Sequence, residues 1–493
     1  MRPNLAMRRS LLPLFFAFAF LPPSIVAQHR SVQGRVIDQE TKESLPYATV
    51  MVKGTRNGTH TNLEGFFFLQ SVPDTTVTLQ VSFIGYQTLE IVSDPKKAQS
   101  SLVLGLKQVS LEIGGVTVVG QQATFIKSEE TPGLTTISPQ QLISLPSIGQ
   151  ADVFRSMQLL PGISGTDDGS SGLRIRGGTP DQNLVLFDGM TVYHVDHFFG
   201  FFSAFNPDAI KDLQIYKGGY PAVYGGRLSS IIDIVGRTGS SEQFRGSVGF
   251  STLSANGSVE GPILGGTVLA AARRSLTDVM PSSLYNSIYK YLTGSDAPQA
   301  GGSSPSGFGP PGGGRMSSGF SQEETPKSAF SDINLKYSVN VSEVDFIAVS
   351  YYGSLDDYDL TRQQRSQNTG TSFGSFSIPG RTSTTTQGNN GASLKWFRQW
   401  LPELHSDLLV AYAAYKSDFT TGMSSFNSNN FNGPQFSTNE SNKITDFSFQ
   451  MKNQYRVSAA HDVSFGGEAS FTLVRYNLSG SMTTGGNSQL LGM

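Results

Sequence analysis

Residues 173–178 read LRIRGG, residues 184–189 read LVLFDG, and residues 216–230 read YKGGYPAVYGGRLSS. The apolar run of the second segment is typical of a strand. Asp188-Gly189 after it predicts a two-residue hairpin turn, because glycine adopts positive φ without strain. The glycine pairs of the other segments predict further turns. The region therefore has the pattern of a domain built on short strands and tight turns.

These segments resemble the plug domain of TonB-dependent outer-membrane transporters, and the resemblance runs from about Ser138 to Gly236. A plug has only one known setting, inside a large transmembrane β-barrel. The resemblance therefore implies a mainly β protein in the cell outer membrane, with an α+β plug inside an antiparallel barrel of about 22 strands. It also implies TonB, energised by ExbB/ExbD, as the partner.

A second resemblance covers about Val32 to Leu106. The segments GRVID at 34–38 and TNLEGFF at 61–67 resemble the carboxypeptidase-regulatory-like domain that often precedes the plug in Bacteroidetes-type receptors. The resemblance implies a non-catalytic module. Short β-rich runs separated by turn residues predict a β-sandwich. These runs are Val32–Ile37, Ala48–Lys53, Phe66–Gln70, Thr75–Phe83 and Ser101–Leu106.

The N-terminus has the pattern of a secretory signal peptide, residues 1–27. Basic residues precede an apolar run at 11–21 that is too short to span a bilayer, and a plausible cleavage site lies before Gln28. The alternative is an uncleaved N-terminal anchor. Together with the resemblance above, export implies a periplasmic N-terminal domain. The chain has 36 basic and 38 acidic residues, so there is no basic excess to indicate nucleic-acid binding. The absence of cysteine excludes disulfides, thiolate nucleophiles and cysteine metal sites.

From Gln243 onward apolar and polar residues alternate with a period of two, as in residues 333–341 and 447–457. A soluble sandwich shows the same alternation. Strands of about ten residues or more, with tight turns alternating with long loops, favour a barrel wall facing outer-membrane lipid. Trp396, Trp400 and Tyr455 fit either an aromatic girdle or ordinary packing. The Gly-, Ser- and Pro-rich stretch from Pro281 to Ser328 predicts an external loop without internal order.

A barrel of about 22 strands needs about 500 residues, roughly twice the length that follows the plug. We therefore expect a barrel truncated to its N-terminal part. The predicted domains are a signal peptide at 1–27, a sandwich at 28–108, a linker at 109–136, a plug at 137–238 and barrel at 239–493.

The linker contains the apolar patch Val116, Thr117, Val118 and Val119, whose β-branched residues favour an extended conformation. In the resembled family, a short extended segment called the TonB box pairs with TonB by strand addition. The same pattern fits a last strand of the sandwich or an ordinary linker.

Arg174, Arg176 and Arg227 are the candidate docking residues of the plug. In the resembled family, plug arginines pair with acidic groups on the inner barrel wall, and such pairs fix the docking register. The alternative is that these arginines are solvated strand charges.

The segment from His194 to Phe205 contains a cluster of aromatic residues. His194, His197, Phe198 and Phe199 face an incoming solute if they form the plug apex; otherwise they belong to the plug core. His-x-Asp-His at 194–197 also fits a metal site on paper, but turn capping by polar side chains explains it better, so no metal and no cofactor are expected.

The sequence predicts a transporter that moves a scarce small solute across the outer membrane, with no catalytic residues. Zinc-protease and phosphate-loop motifs are absent from the sequence. The alternative is a TonB-linked cell-surface sensor or binding receptor with little transport of its own. A surface lipoprotein is a possible further partner of the receptor.

Overall fold

The computed structural model describes residues 29–95, 102–109, 127–128, 133–137, 152–165, 172–198, 200–280, 282–293, 327–360, 366–367, 376–377, 380–401, 403–424, 435–458, 461–484 and 487–491. The signal-peptide range, the candidate TonB box at 116–119 and Phe199 lie outside these residues.

The N-terminal domain is a sandwich of two sheets. Its strands are β1 His29–Asp38, β2 Thr49–Val52, β3 Gly58–His60, β4 Phe66–Pro73, β5 Val77–Ser82, β6 Leu89–Ser93 and β7 Leu102–Leu106. One sheet has the order β4-β1-β7 and the other β3-β2-β5-β6. Alternate residues of these strands point inward, and their apolar side chains, such as Val36, Leu69 and Leu79, fill one core. Each of the strands expected from the sequence is present.

The described part of the plug consists of short strands, a short α-helix and two 3₁₀ turns at Pro180–Gln182 and Pro207–Ala209. Its elements are β8 Lys127–Ser128, β9 Leu134–Ile137, α1 Val153–Met157, β10 Ile163–Gly165, β11 Leu173–Ile175, β12 Asn183–Phe187, β13 Met190–Thr191, β14 Asp196–His197, β15 Phe202–Ser203, β16 Ile210–Lys217 and β17 Ser230–Gly236. The central sheet has the order β13-β12-β17-β16-β9-β8. Strand β9 pairs with β16, so this sheet begins before residue 137, the expected start of the plug.

Local signals in the plug sequence explain its turns. Asp152 caps α1 by accepting a hydrogen bond from the Arg155 backbone N–H at 2.9 Å. Asp188 and Gly189 have φ of 47° and 83°, and Phe187 pairs with Met190 across them. The predicted hairpin is therefore confirmed, with both central residues in the left-handed region.

The rest of the described chain is a ten-stranded antiparallel sheet in chain order. Its strands are β18 Arg245–Phe250, β19 Ser254–Ile263, β20 Gly266–Ser275, β21 Lys327–Asn340, β22 Asp345–Asp359, β25 Gly380–Leu401, β26 Leu404–Ser424, β27 Gln435–Ser458, β28 His461–Thr484 and β29 Asn487–Leu491. The short strands β23 Ser366–Gln367 and β24 Phe376–Ser377 pair separately with each other. Strands β25 to β28 each exceed 20 residues, far longer than typical soluble strands.

The two faces of this sheet differ in chemistry, as the alternation predicts. The outer face carries half-exposed apolar side chains, including Ile333, Leu335, Val410, Phe447, Phe449 and Met451. The inner face carries buried polar side chains, including Asn334, Lys336, Ser350, Asp356 and Asn389. This is the pattern of a barrel wall with lipid outside and a polar interior. Neither helix in the described part of the chain has the length and apolarity needed to cross a membrane.

The two ends of the wall also differ. Short connections at 264–265 and 341–344 lie at one end, whereas the long connections at 276–326 and 360–379 lie at the other end. The first of the longer segments contains a helix, α2 Ser283–Thr293, whose Tyr285 and Ile288 are buried against plug and barrel phenylalanines. The expectation of a wholly unordered loop from 281 to 328 was therefore wrong for this part. Apolar residues at helical spacing bury enough area to order it.

Candidate functional site: the contact between plug and barrel

Asp188, at the tip of the plug hairpin, contacts three side chains of the wall. Its carboxylate is 1% exposed and accepts the Gly236 backbone N–H at 3.1 Å. The Ser350 hydroxyl donates to its other oxygen at 2.9 Å. A Cβ at position 236 would lie 2.6 Å from the carboxylate, so only glycine fits beside it.

Two barrel lysines complete this site. Lys336 Nζ lies 2.9 Å from Asp188 Oδ1 and also donates to the Gly236 carbonyl at 2.9 Å. Lys395 Nζ lies 3.8 Å from the same carboxylate oxygen. Burial alone raises the pKa of Asp188, but Lys336 and Lys395 outweigh burial and hold it below its usual value. The plug therefore supplies the anion and the wall supplies the cations.

A second charged contact centres on His197, which is fully buried. Its Nδ1 lies 2.7 Å from Asp356 Oδ2 of the barrel, and its Nε2 lies 2.6 Å from Asp332 Oδ1. Both ring nitrogens face carboxylates, so both donate and the ring is an imidazolium. Burial alone lowers the pKa of His197, but Asp332 and Asp356 outweigh burial and raise it to about 9.

The charges around His197 balance within the site. Arg273 of the barrel pairs with Asp332, and its Nη2 donates to the Ser203 carbonyl of the plug at 2.7 Å. Phe330 stacks on the His197 ring with centroids 4.5 Å apart. Two carboxylates therefore face an imidazolium and a guanidinium, which makes this buried contact tolerable in a low dielectric.

Neutral groups extend the contact along the wall. The Asn389 side chain accepts the His194 backbone N–H at 3.1 Å and donates to the His194 carbonyl at 2.7 Å. Tyr352 donates to the Ala204 carbonyl at 2.6 Å, and its ring joins the plug core beside Phe187. The barrel wall thus satisfies plug backbone groups that would otherwise lose their hydrogen bonds on burial.

The residues of the expected plug apex differ in their exposure to solvent. His197 belongs to the ion cluster, and Phe198 is 2% exposed beneath Tyr285 of α2. A solute reaches neither of them in this conformation. The His194 side chain remains 18% exposed, 3.5 Å from both Asp196 and Asp356. Phe199 lies outside the described residues.

The three plug arginines lie elsewhere. Arg174 and Arg176 are exposed, and Arg227 is half-buried and donates to the Gly226 carbonyl at 2.9 Å. Over the residues that the structure describes, none of the three forms an ion pair with an acidic side chain. Their docking role stays a prediction.

The docking role of Asp188 is not evident from the sequence, because the hairpin turn already accounts for an aspartate at this position. A signal was present in the strand alternation. Lys336 occupies an inward position between the outward side chains of Leu335 and Tyr337, and Asp332 is inward on the same strand. A charge on the inner face of a plugged barrel needs a partner, and the plug is the nearest source.

A domain packed inside one face of a long-stranded antiparallel wall, and joined to it by buried ion pairs, defines the class of plugged outer-membrane barrel proteins. Residues 32–118 match the CarboxypepD_reg-like domain, and residues 127–230 match the TonB-dependent Receptor Plug Domain. These two domain matches, with the relatives described below, support a TonB-dependent receptor of the Bacteroidetes type. Similarity to this family implies an outer-membrane location.

Relatives with this organisation are receptors and transporters, not enzymes. TonB-dependent receptor SusC from Bacteroides thetaiotaomicron is 30% identical over 259 residues, which cover 49% of this chain and 25% of the relative. TonB-dependent receptor P3 from Formosa agariphila is 26% identical over 236 residues, covering 47% of this chain and 23% of the relative. The matched part thus spans about a quarter of each relative's length.

Among solved structures, the siderophore receptor PirA from Pseudomonas aeruginosa aligns with 12% identity and a TM-score of 0.39. The alignment covers 72% of this chain and 60% of that chain. Similarity at this level adds nothing to the assignment.

Asp188→Asn should loosen the plug, because it leaves Lys336 buried without a counter-charge. Loss of one partner of such a pair costs roughly 3–5 kcal/mol. Limited proteolysis of the receptor in detergent should show faster plug cleavage, whereas Asp181→Asn, an exposed plug carboxylate, should leave the rate unchanged. Equal rates for both variants would contradict a docking role for Asp188.

The His197 contact should weaken at alkaline pH. Its pKa is raised to about 9 in the docked plug, so its contribution is complete below about pH 6.5, the ordinary value, and is lost as pH rises through about 9. Single-channel conductance across a planar bilayer should increase over that range. His197→Gln should remove this step; an unchanged alkaline step in the variant would contradict the assignment.

Proposed function

We propose that the receptor performs active transport of a scarce solute across the outer membrane. The plug blocks the barrel lumen, and TonB, energised through ExbB/ExbD by the inner-membrane proton gradient, displaces it. The observation that carries the proposal is the set of buried plug–wall ion pairs at Asp188 and His197. Such contacts hold a domain firmly yet leave polar, hydratable surfaces when separated, which suits a plug that moves.

The N-terminal linker supplies the point of attachment in this proposal. Val116, Thr117, Val118 and Val119 form the TonB box, and an extended segment there adds a strand to TonB. The plug surface around His194 is the part of the expected apex that keeps solvent access, so it is the proposed solute-facing side.

Val118→Pro should abolish TonB binding, because proline lacks the N–H that strand pairing requires and disrupts the added strand. Gln122→Pro, in the same linker outside the box, is the matched control. Capture of the receptor by the periplasmic domain of TonB measures the effect without knowledge of the solute. Undiminished capture of the Val118 variant would show that the box lies elsewhere.

A measurement of solute uptake distinguishes a transporter from the alternative, a TonB-linked sensor. Cells are supplied with labelled ferric siderophores, cobalamin, haem, glycans or peptides as the sole source of the nutrient. Receptor-dependent uptake that requires TonB supports transport. A receptor-dependent transcriptional response without uptake would instead establish the TonB-linked sensor.

A further inference from the structure

A buried carboxylate of the N-terminal sandwich, Glu43, contacts the plug. Its Oε2 lies 2.9 Å from Lys211 Nζ of plug strand β16 and 3.7 Å from Arg237 Nε. Its Oε1 accepts the Thr238 backbone N–H at 2.6 Å. Arg237 in turn pairs with Glu260 of the barrel at 2.6 Å. Glu43 therefore binds the plug directly and is linked to the wall through Arg237.

The Glu43–Lys211 pair is not a surface ion pair. The two side chains are 2% and 5% exposed. Burial raises the pKa of Glu43, but Lys211 and Arg237 outweigh it and lower the pKa to about 2. The pair is therefore charged throughout the physiological pH range. Separating Glu43 from Lys211 leaves each charge without its counter-charge.

Further contacts attach the sandwich to the rim of the barrel. Phe66 stacks on Phe397 with ring centroids 5.1 Å apart, and the Gln399 amide donates to Gln33 at 2.9 Å. The Ser241 backbone N–H donates to the Thr41 carbonyl at 3.1 Å. Phe397 and Gln399 lie near the short-turn end of the wall, which is the periplasmic end of such barrels.

The contact between Glu43 and Lys211 restrains movement of the plug out of the barrel. Lys211 belongs to β16, which lies between β17 and β9 inside the plug sheet. A plug that moves toward the periplasm must separate Lys211 from Glu43 or carry the sandwich with it. The linker that carries the proposed TonB box joins the two docked bodies.

We propose that the N-terminal sandwich is a latch that holds the plug closed from the periplasmic side, and that the plug leaves the wall only after the sandwich undocks. The biological role of the latch rests on the proposed function. Restraint of the plug by the sandwich can be measured without solute and without TonB.

Docking is tested by a disulfide. The chain has no cysteine, so Thr41→Cys with Ser241→Cys introduces a unique pair of thiols at directly hydrogen-bonded positions. Oxidation of the receptor in native outer membranes should join the two introduced thiols in a bond that shifts mobility on non-reducing gels, and either single variant should not shift. Absence of the bond in the double variant would overturn the docked arrangement.

Restraint is tested by thiol labelling of the plug. Ala209 is 1% exposed and packs against Leu269 and Ala271 of the wall, so Ala209→Cys reacts with a maleimide dye only when the plug leaves. In the purified receptor, without TonB or solute, Glu43→Gln should raise the labelling rate at least about tenfold, since one-sided loss of a buried ion pair is strongly destabilising. Glu90→Gln, in the exposed Lys53–Glu90 pair of the same domain, should leave it unchanged.

The outcomes are distinct. Equal labelling rates for the Glu43 and Glu90 variants would overturn the latch, even if the disulfide forms. If Glu43→Gln does not assemble, Lys211→Met provides the second variant, and it should raise labelling in the same way. Failure of TonB capture or uptake would count against the proposed function while leaving this measurement to decide the latch.

Discussion

The ion pair between Asp188 and Lys336 is the contact on which the arrangement of the plug depends. It joins the tip of the plug hairpin to the inner wall, with Lys395 and Ser350 beside it. A buried pair of this kind adds little net stability, but its one-sided loss is costly, so it selects one position of the plug over others. The His197 cluster fixes a second point on the same wall, on strands β21 and β22.

The alternation along the wall strands explains both surfaces of the molecule. Apolar side chains on the outer face suit lipid, and the polar inner face supplies the lysines and carboxylates that hold the plug. The plug in turn presents backbone groups and charges that match that face. The sandwich is held in a similar way, by buried opposite charges, at the short-turn end of the wall. There Glu43 pairs with Lys211 and Arg237. Three bodies are thus joined by charges that each body alone leaves uncompensated.

Much of this fold follows from local sequence signals. The hairpin at Asp188-Gly189, the sandwich strands and the alternating wall strands were all predicted, because turn chemistry and period-two patterning act over a few residues. The charged partners were not. Asp188 and Lys336 are 148 residues apart, and His197 and Asp356 are 159 apart. Such pairings depend on the register between plug and wall. The motif contains Arg174 and Arg176, but the local sequence does not indicate that they are exposed. Helix α2 was not predicted, because it adjoins a stretch rich in Gly, Ser and Pro.

The most direct test of this account is a double-mutant cycle between Asp188 and Lys336. Asp188→Asn, Lys336→Met and the double variant are compared by the free energy of plug release in urea, followed by labelling of the Ala209→Cys reporter. The account predicts a coupling energy of at least about 1.5 kcal/mol, the lower end measured for close interfacial charge pairs. A coupling energy near zero, with the single effects simply adding, would contradict the claim that this ion pair holds the plug in the barrel.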